Sequence, residues 1–181
     1  DDAQGGATKL VALKAVAAGY PLRGKLQTST QAGDTGQPTQ DIPPPGEVWV
    51  DGPLLESLGL KLGDKLLLGD SALRIGRIIV LEPDRGAGFM SFAPRVMINQ
   101  ADVAATRLVQ AASRVRHRLP VAGDERAVKS FNDWADAALK NGEMRGARLE
   151  SLESGRPEMR QTLDRAEKFL NLVALLAALL A

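Results

Sequence analysis

The chain has 181 residues, enough for one well-packed core or for two small ones. Charged residues make up 25% of it and hydrophobic residues 44%, which is the usage of an ordinary globular protein. With a net charge of +1, the chain as a whole has no field that would draw it to nucleic acid or to anionic lipid. Cysteine is absent, which excludes disulfides, thiol catalysis and thiolate metal sites.

The first half of the chain reads mainly as strands and loops. Residues 9–16, KLVALKAV, are interpreted as a period-two pattern, which predicts a strand. Residues 27–46 hold four of the ten prolines and one large aliphatic residue, so we expect a loop or linker there. Residues 46–51 predict a strand, followed by a short helix that Pro53 opens and Gly59 closes.

The stretch that follows predicts more strands. Residues 61–82 have the pattern of a β-hairpin whose turn is Gly69-Asp70. Residues 82–89 predict a second turn, residues 94–99 a further strand, and residues 101–108 a short helix. We therefore expect residues 46–111 to form a small strand-rich subdomain.

The last section predicts alternating strands and helix. Residues 113–121 and 144–152 are both expected to be strands, and the helix between them begins at an Asp124 cap and ends at Lys140 before Asn141-Gly142. A strand–helix–strand unit of this size places both strands in one sheet. Trp134 borders the inner face of the helix, which consists of Val128, Phe131, Ala135, Ala138 and Leu139.

No motif of the sequence predicts catalysis, cofactor binding or a metal site. His117 is the single histidine, no GxSxG elbow accompanies it, and the strand pattern puts it on an apolar face, in a structural role. The opposite face would carry three arginines, which we interpret as solvated side chains rather than a phosphate-binding surface: Arg114, Arg116 and Arg118.

The region around the second turn offers two further candidates, and neither predicts a site. No helix follows Gly86 and Gly88, so they predict a tight turn rather than a phosphate-binding loop. Glu82, Asp84 and Arg85 would form an acid pair with a cation, but exposed turn charges are far commoner than catalytic dyads. The sequence thus favours a protein that is not an enzyme.

The chain closes on an apolar helix. Pro157 suits a first turn, and no Gly or Pro follows it before Ala181, so residues 157–181 predict one unbroken helix. After Lys168 thirteen uncharged residues follow, about 20 Å of helix and less than a bilayer requires. The alternatives are a buried core helix and the first part of a transmembrane helix, and we favour the second because the run is apolar all round. Both ends of the sequence, which starts with two aspartates, are expected to be cut from a longer protein.

Several blocks of the sequence together resemble one family: LVALKAVAAGYPLRG, GEVWVDGPLLESLGLKLGDKLLLG, EPDRGAGFMSFAPRVMIN and RPEMRQTLDRAEKFLNLVALLA. They are similar to the large extracytoplasmic domain of bacterial ABC-transporter permeases of the MacB, FtsX and LolCE superfamily, and most of all to YbbP-like predicted permeases. The likeness runs from about Lys9 to Ala181. The proline-rich stretch at 27–46 fits the family pattern less well.

The resemblance implies an α+β fold with two parts. A mixed α/β porter-like subdomain, discontinuous in sequence, would comprise residues 1–45 and 112–168, with an opening part missing before Asp1. A smaller strand-rich insertion, called Sabre in the family, would comprise residues 46–111. Residues 169–181 would begin a transmembrane helix.

The resemblance also implies a function. The domain would lie in the periplasm of a bacterium, anchored in the inner membrane, and would be non-catalytic. It would couple ATP hydrolysis by a cytoplasmic ABC ATPase to periplasmic work, with lipid or another hydrophobic molecule as cargo. A periplasmic esterase or thioesterase is an implied partner, and nucleic acid is not.

Two other readings stay open at the level of sequence. One is a soluble periplasmic binding or scaffold module whose last helix is buried in its own core or in a dimer interface. The other is a hydrolase that uses His117. A polar continuation after Ala181 would favour the first, and loss of esterase turnover on changing His117 would favour the second.

Overall fold

The computed structural model describes residues 6–85, 92–150, 165–171 and 173. Over these residues the chain is mixed α/β, and residues 165–171 and 173 are helical in addition to the named elements. The strands are β1 (Ala12–Val16), β2 (Leu26–Ser29), β3 (Gln37–Thr39), β4 (Glu47–Asp51), β5 (Lys65–Leu68), β6 (Ser71–Leu81) and β7 (Arg95–Asn99). The helices are α1 (Gly52–Leu58), α2 (Val103–Thr106) and α3 (Glu125–Lys140), with a short 3-10 turn at Gln100–Asp102.

One mixed sheet organises the described strands. Its order is β1-β7-β4-β6-β2-β3, and β5 pairs with the first half of β6. β4 runs parallel to β6 and antiparallel to β7, and β1 runs parallel to β7. β6 is eleven residues long, so it pairs with β4 on one side and with β5 and then β2 on the other.

Side chains of the central strands alternate between the two faces of this sheet, and each face is packed with apolar residues. Val48, Val50, Val96 and Ile98 are completely buried on the face that α1 covers through Leu54. A second cluster packs against the partly buried Tyr20 and Ile42. Its five buried residues come from β1, β2, β4, β6 and β7: Val16, Leu26, Trp49, Ile79 and Met97. Since both faces are covered, the central strands are almost continuously apolar.

Local signals account for α1 and for the hairpin of β5 and β6, and both predictions are confirmed. Pro53 lies in the first turn of α1, and Gly59 ends it in the left-handed conformation at φ 65°. In the hairpin turn, Gly69 has φ +59° and lies against the backbone of α2, where a Cβ atom would collide with the Thr106 carbonyl. The Asp70 N–H donates to that same carbonyl oxygen at 2.9 Å. The short helix predicted at 101–108 is confirmed by α2.

The prediction of a loop or linker at 27–46 is wrong in part, because β2 extends into it and β3 lies within it. Its few apolar residues could not form a core of their own. They do not need to, because β2 pairs with the apolar β6 and thereby joins an existing sheet. Thr28 and Ser29 are buried there despite their polar side chains.

The strand–helix–strand prediction for the last section is only one-third correct. α3 is confirmed, with Asp124 Oδ1 accepting from the Ala127 N–H at 2.8 Å and with all five predicted inner-face residues buried or half-buried. Residues 113–121 form no strand and are all exposed, and residues 144–150 form no strand either. Residues 151 and 152 lie outside the described residues.

The chain divides into two units, residues 1–120 and residues 121–181. β1, β2 and β3, placed by the family resemblance in the porter-like part, pair in one sheet with strands of the 46–111 block. The division into porter-like and Sabre-like parts stays a prediction. No helix within the described residues has the length and apolar character needed to cross a bilayer, and most of the predicted helix 157–181 lies outside those residues.

Candidate functional site

Topology brings ionisable side chains together at one edge of the sheet. Because β4 and β6 are parallel, Asp51 at the end of β4 and Glu82 just after β6 lie at the same edge. β7 is antiparallel to β4, so its first residue, Arg95, starts there too. We call the whole group the ion cluster, and it consists of Lys14, Tyr20, Asp51, Glu82, Asp84, Arg85 and Arg95.

Glu82 is the centre of the ion cluster. Its side chain has no exposed surface, and each carboxylate oxygen has its own cation: Lys14 Nζ at 2.8 Å from Oε1 and Arg95 Nε at 2.7 Å from Oε2. Burying a carboxylate without partners is very unfavourable, so these two charge-assisted hydrogen bonds are what permits the burial. Glu82 therefore joins the strand of Lys14 to the strand of Arg95.

Asp51 forms the second anionic point of the ion cluster. Its Oδ2 atom accepts from the Arg95 backbone N–H at 2.9 Å and from the Arg85 guanidinium at 3.2 Å. Its Oδ1 atom is buried and has no hydrogen-bond partner among the described residues. Asp51 is also the N-cap residue of α1, although its side chain makes no cap hydrogen bond. Its carboxylate thus stabilises the β4–β7 edge rather than the helix.

Lys14, Asp84 and Tyr20 close the outer side of the cluster. Lys14 Nζ donates to both Asp84 oxygens at 2.8 Å, and the Tyr20 hydroxyl donates to Asp84 Oδ1 at 2.5 Å. Burial raises the pKa of Asp84, but hydrogen bonds from Lys14 and Tyr20 outweigh it and hold that pKa below its ordinary value. Burial, and then the hydrogen bond to Asp84, raise the pKa of Tyr20 far above 10.

These contacts define what the ion cluster can do. Lys14 Nζ lies 2.8 Å from both the Glu82 and the Asp84 carboxylates, so it is engaged in ion pairs and is not free to act as a nucleophile. Tyr20 keeps its proton because both main effects on its pKa raise it. The cluster is consequently suited to holding β1, β4, β6 and β7 together rather than to proton transfer.

The prediction of exposed turn charges at Glu82, Asp84 and Arg85 is confirmed for Asp84 and wrong for Glu82. Asp84 is exposed and Arg85 is half-buried, whereas the Glu82 side chain is completely buried. The signal that would have revealed this, Lys14 in β1 and Arg95 in β7, is visible only once the strand order is known. Sequence reasoning therefore missed Lys14, Tyr20, Asp51 and Arg95.

A shallow cleft of about 680 Å³ lies on the face of the sheet that holds Trp49. The Arg77 guanidinium stacks over the Trp49 ring, 5.0 Å from a ring centroid, and its NH2 lies 3.3 Å from Asp41 Oδ2. Trp49 is 1% exposed, and its Nε1 atom is buried without a hydrogen-bond partner among the described residues. The lining of the cleft is polar and apolar in mixture, so it has no clear preference for one class of ligand.

The other candidate residues of the sequence do not come together. His117 was expected on the apolar face of a strand, but it is exposed and no strand forms around it, so the predicted structural role is wrong. Arg114, Arg116 and Arg118 are exposed, as expected of solvated side chains. Gly86 and Gly88 lie outside the described residues. Within the part of the chain that the structure describes, no group of three or more His, Asp or Glu side chains could hold a metal ion.

Comparison with known proteins decides the relationship. Over 177 residues, which is 98% of the chain, the sequence is 36% identical to an uncharacterized ABC transporter permease, YbbP of Escherichia coli strain K12. The predicted kinship with YbbP-like permeases is confirmed. The chain spans 20% of the length of YbbP, so it matches one segment of that permease. No family model matches the chain, and no solved structure matches it.

Proposed function

We propose that this chain is the non-catalytic extracytoplasmic part of a YbbP-like ABC transporter permease and that it transmits mechanical work. The observation that carries the proposal is the identity of 36% to a permease along almost the whole chain. A permease of this class implies an ATPase partner, and we place that partner on the cytoplasmic side of the inner membrane. The α+β chain would lie in the periplasm, divided into the porter-like and Sabre-like parts.

The ion cluster supports a mechanical rather than a catalytic role. Its ionisable groups pair with one another across four strands, so they are engaged in cohesion. Buried, charge-assisted hydrogen bonds are short and directional, and they resist sliding of one strand past its neighbour. A domain that receives motion from a membrane helix needs such resistance, because a sheet that yields would absorb the movement.

Exposure near the C-terminus supports the membrane reading of the last helix. Phe169 and Leu170 are 64% and 65% exposed, and Val173 is 45% exposed. A helix that packed in the core of this chain would bury such side chains, each worth about 1.5–3 kcal/mol. This argues against burial of the last helix in the core of this chain, and we propose instead that residues 169–181 begin a transmembrane helix.

The proposal has two further parts that rest on the family resemblance alone. The cargo would be a lipid or another hydrophobic molecule, and a periplasmic esterase or thioesterase would act with the permease. Neither the ion cluster nor the shallow cleft selects among such molecules, so these parts require transport and pull-down assays with the full-length protein.

The location can be tested with a thiol probe. The chain has no cysteine, so Ala32→Cys, at an exposed loop position, would introduce a unique thiol into this part of a permease otherwise freed of cysteine. We expect a membrane-impermeant maleimide to label it in spheroplasts as fully as in lysed cells. Labelling only after lysis would place the domain on the cytoplasmic side and contradict the proposal.

The coupling can be tested by inserting Gly-Pro beside Glu167. The insertion would interrupt the hydrogen bonds of the helix and introduce a kink. We expect transport to fall to background while ATP hydrolysis by the partner continues, and an insertion of two alanines at the same place serves as control. Full transport by the Gly-Pro variant would refute mechanical coupling through this helix.

A further inference from the structure

A second surface of the chain has a different character from the ion cluster. Residues 113–121, which we call the arginine segment, contain Arg114, Arg116 and Arg118 within five positions. No aspartate or glutamate occurs between Asp102 and Asp124. Although the whole chain has a net charge of only +1, this stretch is locally basic without compensation.

The three guanidinium groups of the arginine segment also have no partner among the described residues. Residues 107–127 are all exposed, and among the described residues no ion pair or hydrogen bond involves the side chains of Arg114, Arg116 or Arg118. No backbone hydrogen bond joins residues 116–121 to another described residue. By contrast, both arginines of β6 have a carboxylate partner, Arg74 with Glu47 and Arg77 with Asp41. Three guanidinium groups are therefore available to an external anion.

Apolar side chains alternate with these cations. Leu119 is 87% exposed, Val121 46% and Val115 42%. Cations interleaved with exposed apolar side chains are typical of segments that bind at an anionic interface, where the charges attract the surface and the apolar groups enter it. Arginine suits phosphate in particular, because its planar guanidinium can donate two parallel hydrogen bonds.

Two observations favour a lipid surface over an acidic protein strand. Pro120 lacks an N–H group, and so it interrupts the ladder of hydrogen bonds that an added strand would require. The chain is also related to a membrane permease. The negatively charged surface next to a permease is that of the bilayer. We propose that the arginine segment binds the phosphate headgroups of anionic phospholipids.

The inference rests on the membrane location in the proposed function, but its test does not. The 181-residue chain is mixed with phosphatidylcholine vesicles that either contain or lack phosphatidylglycerol, and binding is measured by co-sedimentation. The apolar C-terminus can bind both kinds of vesicle, so the readout is the additional affinity that phosphatidylglycerol confers. We expect a clear addition for the native chain, and we expect it to weaken as salt is raised.

The decisive variant replaces Arg114, Arg116 and Arg118 by glutamine. At about fivefold per arginine near an anionic surface, we expect the additional affinity to fall on the order of 100-fold. The matched control replaces Arg23, Arg126 and Arg145, which are exposed elsewhere and change the net charge equally. A triple lysine variant of the arginine segment keeps the charge and should retain most of the binding. Thermal melts followed by circular dichroism check that each variant is folded.

Three results would overturn the inference. The first is equal binding of the native chain to both vesicle types, and the second is an equal loss of affinity in the two glutamine triples. The third is binding of soluble polyglutamate as tight as binding of the anionic vesicles. The last result would assign the segment to an acidic protein partner instead. None of these results bears on the maleimide or Gly-Pro experiments, so failure here and failure of the proposed function are distinguishable.

Discussion

β6 and the arginine segment are both predicted to be strands, but only β6 forms one. Both contain arginine among branched apolar residues; the hairpin pattern predicts β6, and period-two alternation predicts a strand in the arginine segment. β6 is paired on both sides, and its Ile75 is 1% exposed. Residues 113–121 have neither strand pairing nor burial. The difference shows that a local pattern does not by itself make a strand. A strand also needs a neighbouring strand for its backbone hydrogen bonds, and its arginines need carboxylate partners.

The largest loss in the free energy of unfolding is expected for a change at Glu82, which bonds in the ion cluster just after β6. Glu82→Gln removes the buried anion between the half-buried cations Lys14 and Arg95, and breaking a buried ion pair costs about 3–5 kcal/mol. We expect a loss of that order in the free energy of unfolding, measured by urea denaturation. The matched control is Glu150→Gln, at a pair with Arg148 in which both side chains are exposed, where about 0–1 kcal/mol is expected. Equal losses in the two variants would mean that burial of the ion cluster contributes nothing.

A second experiment compares the loss of stability caused by one apolar truncation in β6 and one in the arginine segment. Ile75→Ala removes a fully buried side chain from β6 and should lower the free energy of unfolding by about 2–5 kcal/mol. Val115→Ala removes a similar side chain from the arginine segment, where it is 42% exposed, and should change that free energy by at most about 0.5 kcal/mol. If Val115→Ala were as destabilising as Ile75→Ala, residues 113–121 would have to be packed as a strand in solution.

The smallest expected effect on stability concerns the proton of Tyr20, the single tyrosine of the chain. Because the folded state raises its pKa, the folded state holds the proton more tightly, and stability should be lost only as the pH rises above about 10. We expect phenolate absorbance of the folded chain to appear at a higher pH than in urea, with circular dichroism recorded in parallel.

Asp84→Asn removes the hydrogen-bonded anion and should bring the Tyr20 midpoint down part of the way, since burial, the larger cause, remains. Asp136→Asn, on the exposed face of α3, should leave the midpoint unchanged. Phenolate that appears near or below pH 10 while the circular dichroism is still native would show that Tyr20 is neither buried nor bonded to Asp84.

Much of the local structure was accessible from the residues themselves. Pro53 and Gly59 delimit α1, Gly69-Asp70 makes the turn of the β5–β6 hairpin, and Asp124 caps α3. These features depend on dihedral angles and hydrogen bonds within a few residues, so neighbouring sequence is sufficient to specify them. The family resemblance, too, was carried by residues spread along the chain, and the similarity to YbbP confirmed it.

Only the tertiary structure decided which segments became strands and which charges became buried. β2 forms at the start of a proline-rich stretch because it pairs with β6, while residues 113–121 pair with no described strand and stay exposed. Glu82 joins Lys14, 68 positions away in the sequence, because strand order brings both to one edge of the sheet. The physical reason is the same in each case. Strand hydrogen bonds and buried ion pairs are made between distant parts of the chain, and their free energy depends on a partner that no local pattern identifies.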